Sequence, residues 1–244
     1  MDSFKDKVFK IASSNDSRIV LAFDRHHLFK EGLSYELFRD SLALFNSLRG
    51  LISGVKIGIP TVLTLGEDGV YRLINEYDWG FFFIADFKIA DVEHINRVIV
   101  RHIADLGFDA LIAHSIIGYE GGLKVIVEEA REYGLGVLAL VAMTHKGAEE
   151  LLNKLFEESL EVAIKSDVDG FILPASKSEY IKYVRGIAED KIIMSPGVGF
   201  QGARFGSAVE AGADFEIIGR SIYMAEDPRK AAEEIRRVLR WRRD

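Results

Sequence analysis

The stretch "FFFIADFKIAD", residues 81–91, opens with five apolar side chains and then places Asp86, Lys88 and Asp91 within six positions. The apolar run is continuous rather than alternating and is short and aromatic. It therefore reads as a strand covered on both faces, the pattern of a parallel sheet. Side chains of a strand alternate between faces, so Asp86 and Lys88, two apart, project from the same one. If that face is buried, two opposite charges leave water together, which is costly unless something is gained by it.

Seven further runs of the same kind are spread along the chain: "RIVLAF" (18–23), "GVKIGI" (54–59), "DALIAHS" (109–115), "GVLALVAM" (136–143), "VDGFILPA" (168–175), "KIIMSPGV" (191–198) and "DFEIIGRS" (214–221). Segments with helical spacing lie between them, such as Leu37, Leu42, Leu44, Phe45 and Leu48, or Val98, Ile99, His102, Ile103 and Leu106. Gly107, Gly134 and Gly136 fall where helices should stop, and Asp227 followed by Pro228 reads as the cap and first residue of a last helix. Strand and helix alternate eight times with no linker-like composition between them. The economical architecture is a single (β/α)8 TIM barrel over residues 18–244, preceded by a short helix within 1–17. A doubly wound open sheet is the competing α/β architecture, but it wants a glycine-rich turn after the first strand, and "LAFDRHHLFKEG" has none.

In such barrels the active site sits at the C-terminal ends of the strands. Charge gathers there. Asp24 ends the first run, Lys56 lies in the second, Asp86 and Lys88 end the third, and Asp91 follows it, where an aspartate could equally serve as a helix N-cap. A lysine flanked by carboxylates stays protonated and can act as a positioned general acid. An aspartate beside a bound anion is relieved when that anion departs. Loss of carbon dioxide, with the lysine protonating the developing carbanion, uses both effects. With Lys56 and Lys88 among the carboxylates the array is already neutralised, so no metal and no cofactor is expected.

A second cluster occupies the ends of runs seven and eight, in "MSPGVGFQG" (194–202) and "IIGRSIY" (217–223). Paired glycine-bearing loops at this place commonly hold a phosphate through backbone N–H groups. Pro196, Gly199 and Gly219 shape the loops, Arg220 can add a bidentate contact and Gln201 a hydrogen bond. Thr144, with His145 at the end of run five, could read a substrate's polar edge. His26 and His27 read as surface-loop residues, and His114 as a packing or loop histidine with its hydrogen bonds satisfied.

Composition removes other classes. The chain has no cysteine, which excludes disulfides and thiolate chemistry, and its net charge of -7 gives no general attraction to nucleic acid or to an anionic membrane. No apolar run approaches the roughly eighteen residues of a membrane span, and the opening "MDSFKDKVFKIASSNDSR" lacks the apolar centre of a signal peptide. A cytoplasmic protein with no membrane partner is the expectation.

Taken together, "LAFD", "VKIG", "DFKIAD", "SPGVGFQG" and "IIGRSIY", in this order, resemble the orotidine 5'-phosphate decarboxylase family in its short archaeal-type form. The resemblance runs from about Arg18 to Asp227. It implies cofactor-free conversion of orotidine 5'-phosphate (OMP) to UMP and carbon dioxide in pyrimidine biosynthesis. It further implies that Lys88 protonates the pyrimidine carbon, that Asp86 faces the departing carboxylate, and that Asp24 and Lys56 bind ribose hydroxyls. Gln201 and Arg220 would hold the phosphate, Thr144 would meet the pyrimidine, and Asp91 would reach the neighbouring site of a homodimer. Where many relatives read Asp-Ile-Pro-x-Thr-Asn after the lysine, this chain reads "DVEHIN", so the contacts across the dimer involving Glu93 and Ile95 should differ. Thr144 stands where relatives often carry serine. Magnesium-dependent sister enzymes, 3-keto-L-gulonate-6-phosphate decarboxylase and hexulose-6-phosphate synthase, share D-x-K-x-x-D but tend to be acidic where this chain has Lys56. A non-catalytic phosphate-binding barrel would be expected to have lost a member of the charged array, and none is missing.

Overall fold

The computed structural model describes residues 3–26 and 33–241; His27 lies outside the described residues. Each apolar run becomes a strand: β1 (Ile19–Phe23), β2 (Gly54–Gly58), β3 (Phe82–Ile89), β4 (Ala110–His114), β5 (Gly136–Leu140), β6 (Gly170–Ile172), β7 (Ile192–Pro196) and β8 (Phe215–Ile218). All pair in parallel with their sequence neighbours, and β1 pairs with β8, so the sheet closes into a barrel. Closure rules out the open doubly wound sheet.

Helices α1 (Phe4–Asn15), α2 (Leu33–Leu48), α3 (Ile59–Tyr77), α4 (Glu93–Asp105), α5 (Lys124–Glu132), α6 (Phe156–Lys165), α7 (Ser178–Ile187), α8 (Ser207–Glu210), α9 (Arg220–Tyr223) and α10 (Pro228–Val238) complete the chain. Local chemistry sets several of their ends. Ser3 and Asp6 form a reciprocal capping box that starts α1, and Asp227 accepts from the Lys230 amide at 3.0 Å to start α10. Gly134 follows α5 with a positive φ as anticipated, whereas Gly136 is the first residue of β5. Its missing side chain makes room for Phe4, whose ring would come within 2.2 Å of a Cβ there. Among the described residues no helix is long and apolar enough to cross a membrane.

Two apolar layers follow from the alternation of the strands. Val20, Phe82, Ile84, Ala110, Ile112, Leu138, Leu140, Ile192, Met194, Phe215 and Ile217 cluster with Phe4, Val8 and Ala12 of α1, which covers the N-terminal end. The intervening residues, among them Leu21, Phe23, Val55, Phe83, Leu111 and Ile193, pack outward against the helices. On α4 the buried face is Asn96, Val100 and Ile103; Val98, which fits the helical spacing, is exposed. A repeated device fixes the register: an aspartate just before an even strand accepts the second-residue amide of the odd strand before it. Asp109 bonds Phe83, Asp169 bonds Val137 and Asp214 bonds Ile193, each at 2.8 Å.

Glu216 is fully buried in β8, and its carboxylate accepts from the Gly206 and Ala208 amides at 3.0 and 2.9 Å. It ties the segment after β7 to β8. Burial raises its pKa against the opposing pull of these amides. Replacing Glu216 with alanine should leave buried donors without a partner and cost about 2–4 kcal/mol. Thermal unfolding measures it, and an unchanged Tm would contradict the assignment.

Candidate active site

The end of β3 departs from a regular strand. Its pairing with β4 shifts register between Ala85 and Ile89, and Lys88 has a φ of +50°, the left-handed region that an L-residue with a long side chain adopts at a cost of about 1–3 kcal/mol. Asp86 and Lys88 do meet, as their spacing predicts, but through this irregularity rather than through plain alternation. The Lys88 Nζ donates to Asp86 Oδ1 at 2.7 Å.

Lys56, inward-facing on β2, is 6% exposed and donates to Asp86 Oδ2 at 2.5 Å and to Asp24 Oδ1 at 3.2 Å. The result is an unbroken chain, Asp24, Lys56, Asp86, Lys88, in which Lys56 is buried, Asp86 nearly so, and the ends reach solvent. Burial alone would drive Lys56 toward neutrality; the Asp86 and Asp24 carboxylates overcome it and hold the ammonium above its ordinary range. Burial likewise disfavours the Asp86 carboxylate, and Lys56 and Lys88 outweigh it, leaving Asp86 below the ordinary range. Two neighbours that the sequence did not single out hold Asp24. A Cβ on Gly58 would lie 2.1 Å from Asp24 Oδ1, so the end of β2 must be glycine for the carboxylate to approach. The Thr61 hydroxyl donates to the Phe23 and Arg25 carbonyls on either side of Asp24, at 3.0 and 2.8 Å.

On the opposite side of the mouth, the residues after β7 form a short turn beside α9. Gly199 has a φ of +68° and a Cβ there would lie 2.5 Å from Ser221 Oγ, so this position excludes other residues twice over. The next amide, of Phe200, donates to that same hydroxyl at 3.2 Å. The Arg220 guanidinium lies 3.6 Å from the centre of the Phe200 ring. Gln201 Oε1 accepts from the Thr144 hydroxyl at 3.4 Å, joining this turn to the end of β5.

Between these groups lies a cavity of about 480 Å³, lined by Asp24, Lys56, Asp86, Lys88, Thr144, Pro196, Gln201, Gly219 and Arg220 above an apolar floor that includes Ala22, Ile112, Leu140, Ile172 and Ile217. Phe200 and Tyr223 also line it. Two of the anticipated residues do not. Gly199 acts through the turn it permits, and Asp91 is exposed, its Oδ1 accepting from the Val92 amide at 2.7 Å rather than capping α4. His26 is exposed. His114 corrects the reading of a satisfied packing histidine: its Nδ1 is buried without a hydrogen-bond partner, and burial together with nearby Lys88 lowers its pKa.

This arrangement can bind an anion at one end and keep a protonated lysine against a carboxylate at the other. Residues 17–235 match the family described as orotidine 5'-phosphate decarboxylase / HUMPS. The chain belongs to that family. It is 36% identical over 197 residues to the orotidine 5'-phosphate decarboxylase of Methanosarcina mazei, covering 80% of this chain and 87% of that one. The crystal structure of the Pyrococcus horikoshii OT3 orotidine 5'-phosphate decarboxylase superposes with a TM-score of 0.76 at 34% identity, covering 90% and 98% of the two chains. That of the Methanocaldococcus jannaschii enzyme complexed with inhibitor BMP gives 0.80 at 26% identity, covering 91% and 98%.

The electrostatics predict the pH dependence of a stability defect. Lys56→Met should destabilise the fold by about 3 kcal/mol at neutral pH, because Asp86 keeps its charge and loses a buried partner. The folded pKa of Asp86 is depressed, so its pairing contributes above the ordinary carboxylate range and is lost as pH falls through the depressed value. Tm differences between wild type and variant, measured from neutral to acid pH, should therefore shrink toward acid; a difference that does not change with pH would contradict this.

Proposed function

We propose that this protein decarboxylates OMP to UMP and carbon dioxide, a step of pyrimidine nucleotide biosynthesis, and that the Asp24, Lys56, Asp86, Lys88 chain performs the reaction. The observation that carries this reading is Lys56, buried between two carboxylates at the position where the magnesium-dependent sugar-phosphate branch tends to place an acid. An ammonium there supplies the charge balance that a metal would otherwise bring.

With the substrate's phosphate toward Arg220 and Gln201, its pyrimidine carboxylate comes against Asp86. Two like charges in a confined, largely apolar cavity repel, and the repulsion ends when the carbon–carboxylate bond breaks and carbon dioxide leaves uncharged. The electron pair stays on the pyrimidine carbon. Lys88, 2.7 Å from Asp86, delivers its proton to that carbon and later regains one from solvent. The net reaction consumes one proton and yields UMP and carbon dioxide. Asp24, about half exposed, accepts a ribose hydroxyl. Lys56 donates to Asp86 and to both oxygens of Asp24, and one of the longer Asp24 bonds gives way to a ribose hydroxyl. Thr144 meets the polar edge of the pyrimidine, and Pro196, Gly199 and Gly219 shape the loops around the phosphate.

In this reading a second copy completes the site. Asp91 lies three residues beyond Lys88, exposed, with Val92 and Ile95 after it and with exposed Ile59 and Leu63 in the first turns of α3, directly after β2. A homodimer covering this apolar face would bring Asp91 to the partner's cavity, with Glu93 and Ile95 in its surround.

Purified protein should remove the ultraviolet absorbance of OMP at a rate unaffected by EDTA, and Lys88→Ala should lower kcat by roughly 10²–10⁴-fold, the worth of a positioned proton donor. Loss of activity with EDTA would assign the chain to the sugar-phosphate branch instead. For the dimer, mixing inactive Asp91→Ala and Lys88→Ala proteins should restore roughly a quarter of wild-type activity. Half the dimers would then be mixed, each with one intact site; no recovery after subunit exchange would place Asp91 outside the partner's site.

A further inference from the structure

Phe200 has no role in the charged chain, yet its placement is specific. It is 64% exposed, so it contributes little to the core, and it lines the cavity. Its ring covers the Arg220 guanidinium at 3.6 Å, well inside the range of a cation–π contact, and its backbone amide is bound by Ser221, the residue after Arg220. Gly199 makes that double contact possible, since any side chain there would strike Ser221. Gln201, on the other side of Phe200, is tied to Thr144. Among the described residues, Arg220 has no carboxylate within ion-pair distance, and the Phe200 ring is its contact.

An unpaired arginine is a long side chain with several rotatable bonds, and gripping a phosphate with two parallel N–H donors requires fixing them. A ring lying on the guanidinium face restricts its plane while leaving the N–H edge open. The face is used by the ring; the edge stays available to an oxyanion. We propose that Phe200 is a positioning residue for phosphate recognition, holding Arg220 in the plane from which it grips the substrate's phosphate and thereby setting the affinity for phosphorylated nucleotides. This rests on the proposed OMP chemistry for the identity of the substrate. The stack itself is a property of the chain.

The test combines kinetics on OMP with calorimetric binding of UMP and uridine. Phe200→Ala should raise the KM for OMP and weaken UMP binding by roughly two- to fivefold, the worth of an exposed cation–π contact, with kcat unchanged. Uridine, lacking the phosphate, should bind wild type and variant alike. Phe200→Trp should restore the wild-type values and Phe200→Leu should not, since leucine fills the space without a π face. In an Arg220→Ala background, Phe200→Ala should have no further effect. An unchanged UMP affinity in Phe200→Ala, an equal effect on uridine, or an equal effect with and without Arg220 would overturn the proposal. Wild-type protein that binds UMP but does not turn over OMP would instead sink the decarboxylase reading, leaving the UMP measurements to judge the stack separately.

Discussion

Lys56 cannot be buried alone. An ammonium 6% exposed inside a barrel mouth is tolerable only with Asp86 at 2.5 Å and Asp24 at 3.2 Å, and most of what is unusual about this end of the barrel serves that requirement. Strands β1, β2 and β3 must be adjacent and in parallel register so that the three side chains meet, and Gly58 must lack a Cβ so that Asp24 can approach. Lys88 must take a left-handed conformation at the end of β3 to complete the chain. Replacing buried ion pairs with apolar residues often stabilises a fold. Four charges in line, with local strain added, are therefore not accounted for by stability, which fits the proposed action on a bound anion.

How much of this was legible in the sequence depended on the range of the interaction. The strands were legible because each is a short continuous apolar run, and the barrel followed from their even alternation with helices. The charges at Asp86 and Lys88 were legible as a pair because they sit two apart at the end of one such run. The strain at Lys88 was not, since nothing in "DFKIAD" marks a lysine as left-handed; the register shift against β4 is a tertiary effect. Gly58 could have been found: a glycine two residues past an inward lysine, at a strand end facing an aspartate, signals a close approach. Glu216 could not, because its partners are amides at the start of α8, and a single glutamate in "DFEII" reads as an ordinary outward-facing residue.

The two sides of the cavity are built on different principles. On the β1 to β3 side, charge is fixed by charge, with few degrees of freedom left once Lys56 is in place. The β7 and β8 side is held by glycine turns, Ser221, the buried Glu216 and the stacked Phe200, which set a backbone rather than a charge pattern. Such a division suits a reaction in which one end of the substrate must be gripped and the other destabilised. In the proposed mechanism, binding energy collected at the phosphate is spent on pressing a carboxylate against Asp86.

In the proposed mechanism Asp86 and Lys88, joined at 2.7 Å, act as one unit rather than as two independent groups. Comparing kcat/KM for OMP in Asp86→Ala, Lys88→Ala and the double variant tests it most directly, because single substitutions at either position disturb the other. A double variant about as impaired as the worse single one is the predicted result. Losses that multiply, each variant costing the same whether or not the other is present, would contradict it.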